Sequence, residues 1–382
     1  MKFAHMGDCH LGGWKYPELR ELNLQSFEFA VSTCIREKVD FVLITGDFFD
    51  SPYPSIETLK SSFSELKRLK EANIPVFYIA GSHDYSASGK TFLDVLEKAG
   101  FCINVMNFEE KNGTITLTPT IYKNVAIYGY PGKKSSMEVS DIERIKIQDS
   151  PGLFKILMLH TAIRDAIGTL PIDAVDHRNL PKVDYLALSH LHINYSKEGR
   201  VYSGPIFPNN ISELEELQAG SFYIFDNGLV KKIEIKPKEI KTFNIEIKDA
   251  LSATEKILSS LESENLKDKI VIIKLYGVME KGKTSDIDLI KIESFAKSQG
   301  AYCVLRSTSR LSMADEELMI DYPDSRNIEE QIIKSYNDNN PGRFNSIIPQ
   351  LIKSLQIEKI DDERSASFEE RLLSETKKIL NL

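Results

Sequence analysis

Residues 40–50, DFVLITGDFFD, give the clearest indication of the fold. Residues 41–45 form a short apolar run typical of a buried strand, and Gly46 and Asp47 follow it directly. Asp50 completes the segment three residues later. A carboxylate at the point where a strand turns lies at the edge of a sheet, so this stretch predicts one part of a functional site.

The same arrangement occurs four more times along the chain. Short apolar runs over residues 3–6, 76–80, 156–159 and 185–188 each end at polar groups. The groups that follow them are Asp8-Cys9-His10, Gly81-Ser82-His83-Asp84, His160 and His190-Leu191-His192. Five of the seven histidines fall in this pattern, and only His5 and His177 lie outside it. Because side chains at strand ends converge on one edge of a sheet, we expect the groups to meet in space.

The order of elements predicts the architecture. Residues 1–80 alternate β-rich runs with helical periodicity over 19–36 and 55–70. This βαβαβ order favours parallel strands with right-handed crossovers. A short helix near 91–99 and a strand-rich stretch over 115–235 follow. We therefore predict an α/β fold, a two-sheet β-sandwich flanked by helices, over residues 1–237.

Two further segments lie beyond residue 237, where no histidine occurs. Residues 238–336 predict a smaller α+β capping domain without catalytic candidates, whose role is to position a substrate or partner. Residues 343–382 predict a helical tail with two amphipathic helices. Their apolar faces pack either on the protein itself or on the helical surface of a partner.

Composition limits the class of protein. The chain has 382 residues, 42% of them hydrophobic, and its formal net charge of −8 argues against a protein that coats nucleic acid regardless of sequence. An enzyme that contacts DNA through a local patch is still allowed. The first residues do not resemble a secretory signal, and no apolar stretch is long enough to span a membrane. Four cysteines without CxxC spacing indicate neither a zinc site nor a disulfide framework, so we expect a cytoplasmic protein.

The polar groups predict a metal centre. Carboxylates and imidazoles without a cysteine cluster suit a hard to borderline divalent ion such as Mn²⁺. In an extended chain, the i and i+2 positions of Asp8-x-His10 and His190-x-His192 point to one face. The candidates are too many for one ion, so we expect two metals that share a carboxylate, the arrangement that cleaves phosphate esters. Asp47 is the best bridging candidate.

His83 is the candidate for acid catalysis. It follows the turn at Gly81 and has carboxylates nearby in Asp50 and Asp84. A histidine paired with a carboxylate is the usual arrangement for protonating a leaving group. For Asp50, stabilising the turn explains its presence as well as orienting His83 does.

In this order, the motifs resemble those of the calcineurin-like metallophosphoesterases, whose pattern is D-x-H, G-D-x-x-(D), G-N-H-(D/E), H and G-H-x-H. The resemblance covers roughly the first 235 residues. Within that superfamily, residues 8–12, 46–50 and 90–96 look like those of the Mre/SbcD double-strand-break repair nucleases. The smaller module and the helical tail match the layout of that family.

The resemblance implies a DNA exonuclease and endonuclease with two Mn²⁺ ions per subunit, although Mg²⁺, Fe²⁺ or Zn²⁺ could serve instead. It also implies a homodimer that binds DNA ends and a Rad/SbcC-type coiled-coil ABC ATPase, the latter through the C-terminal helices. Two ligand sets that share Asp47 are implied: Asp8, His10, Asp47 and His192 for the first metal, and Asp47, residue 82, His160 and His190 for the second. His83 would be catalytic, with Asp50 as its orienting partner.

The chain departs from the family pattern at two positions. Ser82 replaces an asparagine, and its shorter side chain predicts weaker binding of the second metal with catalysis retained. Ser189 replaces a frequent glycine, a change that we expect to be tolerated. Because of Ser82, a catalytically weak DNA-binding scaffold is an alternative function. A small-molecule phosphodiesterase of the same fold is another.

Three basic residues are candidates for DNA contacts, namely Lys133, Lys134 and Arg164. The first two follow a glycine- and proline-containing turn, and the third comes shortly after His160. Each could meet a phosphate near the metals. Solvated surface charge is the simpler explanation of each.

Overall fold

The computed structural model describes residues 1–86, 89–133, 137–168 and 172–313, a few single positions between 347 and 357, and a helix over 365–380. Lys134, the predicted capping-domain residues after 313 and almost all of the first predicted tail helix lie outside the described residues. Among the described helices, none has the length and apolar character needed to cross a bilayer.

The strands and helices alternate in the first part of the chain, as the sequence predicts. The strands are β1 (Lys2–Met6), β2 (Phe41–Thr45), β3 (Val76–Ile79), β4 (Ile103–Asn104), β5 (Phe108–Lys111), β6 (Thr114–Leu117), β7 (Thr120–Tyr122), β8 (Val125–Tyr130), β9 (Ile145–Ile147), β10 (Phe154–His160), β11 (Tyr185–Ser189), β12 (Asn194–Lys197), β13 (Arg200–Ser203), β14 (Gly220–Asp226), β15 (Leu229–Ile235), β16 (Ile240–Glu246), β17 (Ile270–Met279) and β18 (Cys303–Met313). The helices are α1 (Pro17–Arg36), α2 (Ile56–Glu71), α3 (Leu93–Lys98), α4 (Glu138–Ile142), α5 (Arg164–Ile167), α6 (Ile211–Leu217), α7 (Ala250–Glu262), α8 (Leu289–Ser298) and α9 (Ser365–Leu380).

Two six-stranded sheets form the first domain. One has the strand order β15-β14-β1-β2-β3-β4, and the other has the order β12-β13-β11-β10-β8-β7. In the first sheet, β1, β2, β3 and β4 run parallel, which confirms the predicted βαβαβ order. In the second sheet, β8, β10, β11 and β13 run parallel to one another, and the edge strands β7 and β12 are antiparallel. The carboxyl ends of these parallel strands therefore lie at one edge of each sheet.

A tightly packed apolar layer joins the two sheets. Phe3, Phe41 and Phe77 from the first sheet meet Ile156 and Tyr185 from the second, and all are at most 1% exposed. Strands buried on both faces consist of nearly continuous apolar residues, which explains the short runs in the sequence. The helices α1, α2 and α3 cover the outer face of the first sheet. The prediction of a two-sheet sandwich flanked by helices is thus confirmed.

Helix α2 packs on its own domain. Ser55 caps its first turn by accepting a hydrogen bond from the Thr58 main-chain nitrogen at 3.2 Å. Leu66 and Leu69 are buried against the first sheet, and Phe63 is partly buried beside them. The apolar face of this helix therefore serves the domain's own core.

Residues 240–313 form a smaller module, which we call the capping module. The parallel strands β16, β17 and β18 alternate with α7 and α8 and pair in the order β16-β17-β18. The sequence pattern predicts helices over 251–266 and 287–298 and strands over 270–275 and 301–305, which correspond to α7, α8, β17 and β18, whereas β16 was not predicted. One face of the sheet carries α7 and α8. The other face packs on the first domain in a shared apolar cluster that contains Trp14, Leu214, Ile270, Ile272 and Leu305.

Candidate metal centre

The predicted groups meet at one edge of the two sheets. Asp8 and His10 follow β1, Asp47 follows β2, His160 ends β10, and His192 follows β11. Ligand atoms lie within 4.8 Å of one another in three groups. These groups are Asp8, His10 and His192; Asp8, Asp47 and His160; and His10, Asp50 and His83. The structure thus brings together side chains that are up to 184 positions apart in sequence, from Asp8 to His192.

The backbone at this edge adopts left-handed conformations. The φ angles are +48° at Asp8, +41° at His10, +47° at Asp47, +99° at His190 and +53° at His192. Residues other than glycine seldom adopt this region, although Asp and His tolerate it better than most. The predicted cause of convergence, alternation of side chains in an extended chain, is therefore wrong. The side chains of Asp-x-His and His-x-His converge because the chain turns back at the ends of β1 and β11.

Asp47 occupies the position expected of a shared ligand. Its Oδ2 atom lies 3.2 Å from His160 Nε2 and 3.7 Å from His10 Nε2, and the side chain is 3% exposed. Its Oδ1 atom accepts a hydrogen bond of 2.8 Å from the His83 main-chain nitrogen. One carboxylate oxygen thus faces both groups of imidazoles while the other anchors the carboxylate.

Three imidazoles have their Nδ1 atoms engaged outside the centre. His10 Nδ1 lies 3.1 Å from Asp50 Oδ1, and His192 Nδ1 lies 2.9 Å from Glu213 Oε1. His160 Nδ1 lies 3.1 Å from the Thr45 carbonyl oxygen. Because these partners are acceptors, each ring carries its proton on Nδ1 in the neutral form. The Nε2 lone pairs are then free for a metal, as outer hydrogen bonds typically arrange in metal sites.

The inward-facing nitrogen atoms fit a cation. His160 Nε2 is buried and has no hydrogen-bond partner among the described residues. The Nε2 atoms of His10 and His192 face each other at 3.0 Å. A proton on one of the two rings bridges them at this distance in the metal-free protein, and a bound cation would take the place of that proton. An orphaned buried nitrogen, two facing imidazole nitrogen atoms and two carboxylates together form a donor set that suits divalent metals.

The charges of the site shift its protonation. Burial by itself lowers the pKa of His160, but the Asp47 carboxylate outweighs this effect and raises that pKa to about 9. Burial acts in the same way on His192, where Asp8 and Glu213 raise the pKa to about 9. For Asp47, burial raises the pKa, but the neighbouring His160 and His10 bring it far below its usual range.

His190 is held by its main chain. Its backbone nitrogen donates to both carboxylate oxygens of Asp8 at 3.0 Å. Its ring packs against the ring of His160, with centroids 5.1 Å apart. Burial and the neighbouring His160 lower its pKa to about 4, so the ring is neutral near pH 7. The ring lies beside the three groups of ligand atoms without belonging to one of them.

The turn at residues 81–84 closes around Asp47. A Cβ atom at Gly81 would lie 2.2 Å from Asp47 Oδ1, so only glycine fits there. Asp84 is 1% exposed and accepts main-chain hydrogen bonds from Gly81 at 2.9 Å and from Phe49 at 3.0 Å. Burial and the nearby Asp47 raise the pKa of Asp84 to about 6. Asp84 therefore ties this turn to the loop after β2, and Ser82 lies between the two anchored ends.

The predicted pairing of Asp50 with His83 needs correction. The Asp50 carboxylate contacts His10 Nδ1 at 3.1 Å and lies 4.0 Å from His83 Nδ1. The main-chain carbonyl oxygen of Asp50 accepts from His83 Nδ1 at 2.9 Å instead. The carboxylate is drawn to His10 because that imidazole is almost fully buried, whereas the side chain of His83 is 49% exposed. Asp50 thus holds two histidines through different atoms.

Two residues that the sequence reasoning missed complete the site. Glu213 in α6 contacts His192 Nδ1. Ser189, expected only to be tolerated, places its hydroxyl oxygen 2.8 Å from His160 Nδ1 and donates to the Thr45 carbonyl oxygen. A glutamate in an ordinary helical pattern gives no signal of this role. The serine gave one, because it departs from the glycine of the family pattern.

The three basic residues predicted to contact DNA differ in how free their charges are to meet a ligand. The Lys133 ammonium group forms an ion pair with Asp141 and lies 5.9 Å from the centre of the Tyr130 ring, so its charge is already balanced. Arg164 begins α5 and is exposed. Lys134 lies outside the described residues. Of the three, Arg164 is the described side chain most open to a ligand.

A two-sheet sandwich whose strand ends gather aspartates and histidines around a shared carboxylate defines a metal-dependent phosphoesterase. The family model for calcineurin-like phosphoesterases matches residues 1–194, more than half of the chain. The chain therefore belongs to the calcineurin-like phosphoesterase family.

Relatives extend the similarity beyond this domain. The DNA double-strand break repair protein Mre11 of Methanosarcina mazei is 27% identical over 386 residues, which cover 95% of this chain and 59% of that protein. The Mre11 proteins of Archaeoglobus fulgidus and Methanocaldococcus jannaschii are 24% and 27% identical over 83% and 88% of this chain, and 76% and 93% of their own lengths are covered. The chain thus spans about three fifths of the Methanosarcina relative. Among solved structures, a dimetal phosphatase from Danio rerio is 11% identical, with a TM-score of 0.36, and the similarity covers 62% of this chain and 93% of that one.

Proposed function

We propose that this protein is a Mn²⁺-dependent nuclease that processes DNA ends at double-strand breaks, with both exonuclease and single-strand endonuclease activity. The observation that carries the proposal is the Asp47 carboxylate between two groups of buried imidazoles. Similarity to proteins named for double-strand break repair supports the substrate, because it covers 83–95% of the chain in three relatives. It therefore includes most of the capping module as well as the phosphoesterase domain.

Two ligand sets are proposed, and they share Asp47. The first cation would be held by Asp8, His10, Asp47 and His192, and the second by Asp47, Ser82, His160 and His190. When bound, such a pair supplies charge neutralisation for a phosphodiester and lowers the pKa of a water molecule so that it can attack near neutral pH. The inward Nε2 atoms and the anchored carboxylates of this chain keep the donors in place for that chemistry.

His83 is the proposed general acid, and Asp50 is its positioning residue. The ring donates Nδ1–H to the Asp50 carbonyl oxygen at 2.9 Å, which leaves Nε2 free to carry a proton toward a leaving oxygen. Half of the side chain is exposed, so a substrate can reach it. The ring of His10 lies 4.9 Å from it, which keeps the acid next to the first ligand set.

Ser82 is the weakest member of the second set, because its hydroxyl reaches less far than an asparagine amide. We expect the parent protein to bind its second Mn²⁺ more weakly than a Ser82→Asn variant does, while cleavage is retained. Calorimetric titration of both metal-free proteins with Mn²⁺ measures this difference. Equal second-site affinity in the two would defeat the idea.

The domain organisation is proposed as a nuclease domain over residues 1–237, a capping domain over 238–336 and a partner-binding tail over 343–382. Partners are DNA ends, a second copy of the chain and a coiled-coil ABC ATPase that binds the tail. Helix α9 supports the last proposal, since Leu373 on its apolar stripe is 58% exposed. Deletion from Arg343 onward should abolish ATPase binding in co-elution while Mn²⁺-dependent cleavage persists. Co-elution of the truncated protein would show that the helices pack on their own chain.

Dimerisation is proposed through the surface beside α1 and α2. Tyr53 and Ile56 are 76% and 71% exposed there, and Phe29 is 42% exposed. Sedimentation of an Ile56→Glu variant should show monomers. Ile290→Glu is a matched control, since Ile290 is 77% exposed in the capping module. An unchanged dimer in the first variant would remove this surface from consideration.

The proposed location is the cytoplasm, in agreement with the four cysteines, which are all free and buried. For DNA contact, Arg164 and Lys134 remain the proposed residues, with Lys133 as a weaker candidate because of its ion pair. Replacing Arg164 with alanine should reduce the slope of the logarithm of DNA affinity against the logarithm of salt concentration by about 1. This is the contribution of one phosphate contact. An unchanged slope would exclude it.

One nuclease experiment tests the main proposal. End-labelled duplex DNA, circular single-stranded DNA and a small aryl phosphodiester are each incubated with the full chain and Mn²⁺, and again with a chelator. Cleavage of both DNA substrates only with Mn²⁺ is expected. Hydrolysis of the small diester alone would favour a small-molecule phosphodiesterase. DNA binding without any hydrolysis would favour the scaffold that Ser82 suggests.

A further inference from the structure

Helix α6 (Ile211–Leu217) lies between the metal centre and the capping module. Three consecutive side chains on it point to different partners. Glu213 contacts His192, Leu214 is buried in the cluster shared by the two domains, and Glu215 forms an ion pair with Lys274 of β17. The helix is therefore fixed from the side opposite to the metal centre.

The Glu213 carboxylate is held in one orientation. Its Oε1 atom contacts His192 Nδ1 at 2.9 Å and accepts from the Asn210 side-chain amide at 2.6 Å. Its Oε2 atom accepts from the Asn209 main-chain nitrogen at 2.8 Å. The side chain is 18% exposed. Both oxygen atoms are thus engaged, and rotation of the carboxylate would break several hydrogen bonds at once.

This orientation controls the imidazole. Because Glu213 accepts the Nδ1 proton, His192 directs its Nε2 atom toward the centre, 3.8 Å from Asp8 Oδ1 and 3.0 Å from His10 Nε2. Without an acceptor at Nδ1, the ring can exchange tautomers or rotate away. His192 follows β11 in an irregular segment, so its main chain is not held by strand pairing.

We propose that Glu213 is a positioning residue for the metal centre, which fixes the tautomer and direction of His192 from a helix anchored on the capping module. The inference rests on the proposed role of His192 as a ligand. It does not depend on which phosphodiester is the substrate. Hydrogen-bonded carboxylates behind metal-binding histidines commonly raise metal affinity 10- to 100-fold, which sets the expected size of the effect.

Calorimetric titration of the metal-free protein with Mn²⁺, after a chelator has removed any bound metal, tests this role. Glu213→Ala should bind the first Mn²⁺ roughly 10- to 100-fold more weakly than the parent. Glu213→Gln should recover part of the affinity, since its amide oxygen can accept the His192 hydrogen bond although its amide nitrogen cannot accept from the Asn209 main chain. Glu216→Ala, three residues along the same helix at an exposed position, should bind as the parent does. The electron paramagnetic resonance spectrum of bound Mn²⁺ should change only in the Glu213 variants.

The His192→Ala variant distinguishes failure of the proposed ligand set from failure of the inference about Glu213. If His192→Ala binds Mn²⁺ as tightly as the parent, the proposed ligand set itself is wrong. If His192→Ala loses affinity while Glu213→Ala does not, the ligand set stands and the inference about Glu213 is overturned. If metal-free Glu213→Ala unfolds at a lower temperature but binds Mn²⁺ as the parent does, Glu213 only caps α6. That result would also overturn the inference.

Discussion

The strand ends of the phosphoesterase domain and those of the capping module differ in backbone conformation. In the first domain, five candidate ligands have positive φ angles, including Asp8, Asp47 and His192. In the described part of the capping module, Asp268 is the single residue other than glycine with a positive φ, and it lies in a loop before β17. Both regions contain parallel strands connected by helices, so topology alone does not explain the difference.

The difference lies in what surrounds the strand ends. The sandwich encloses strands with two buried faces, and residues such as Phe3 and Ile156 are completely buried. That packing can hold strained left-handed residues, each costing about 1–3 kcal/mol, in the arrangement that ligands need. The strands of the capping module end at more exposed residues, such as Val278 at 53% and Met313 at 52%. We infer that chemistry belongs to the first region and positioning to the second.

The largest effect should come from Asp47. Replacing it with asparagine removes the charge that the two ligand sets share, and loss of metal catalysis worth several kcal/mol predicts a fall in phosphodiester hydrolysis of at least about 10³-fold. Asp249→Asn in the capping module is the matched control, since Asp249 caps α7 and asparagine caps helices equally well. Rates are measured on a small aryl diester with Mn²⁺. Equal losses in both variants would show that the capping module takes part in the chemistry as well.

The second-largest fall in activity should come from replacing His83. Alanine in its place should reduce kcat by about 10²- to 10⁴-fold, the usual contribution of a general acid. Calorimetry should show unchanged Mn²⁺ affinity, because the ring binds the Asp50 carbonyl oxygen rather than an inward position. His177→Ala, which loses an ion pair with Asp165, serves as the control. A parallel fall in metal affinity would instead make His83 a ligand.

A smaller effect is expected from pH. The pKa values of His160 and His192 are raised from 6.5 to about 9, so in chelated protein both rings contribute stability below pH 6.5 that is lost as pH rises through 9. Mn²⁺ must displace these protons, so its apparent affinity should increase across the same window. Titrations in buffers of different ionisation enthalpy count the released protons. Affinity that is flat between pH 6.5 and 9 would contradict the assigned charges.

The smallest effect on chemistry should come from the capping module. Ile272 is completely buried in the cluster shared by the two domains. Ile272→Ala should lower the free energy of unfolding by about 2–5 kcal/mol through the cavity that it leaves. The kcat for the small diester should stay unchanged, since no ligand is touched. Urea unfolding and rate measurements on one preparation check both, and a large fall in kcat would assign chemistry to the module as well.

Local pattern was sufficient for the fold and for most of the site. Apolar runs that end in Asp47 or His160 identify strands and also locate their polar ends, because strand direction and side-chain position both follow from the chain. The roles of Asp50 and Glu213 were beyond this reasoning. Their partners, His10 and His192, lie 40 and 21 positions away, and which atom each contacts depends on how separate elements pack.

Hydrophobic periodicity and strand order are local properties, and they were enough to predict a two-sheet sandwich that gathers carboxylates and imidazoles at one edge. How the donors face one another follows from tertiary packing alone. The left-handed backbone at His10 and the Nδ1 contacts that aim each Nε2 inward exist because buried sheets, an adjoining helix and a neighbouring module hold them there. Those forces act between residues far apart in the chain, and no local pattern records them.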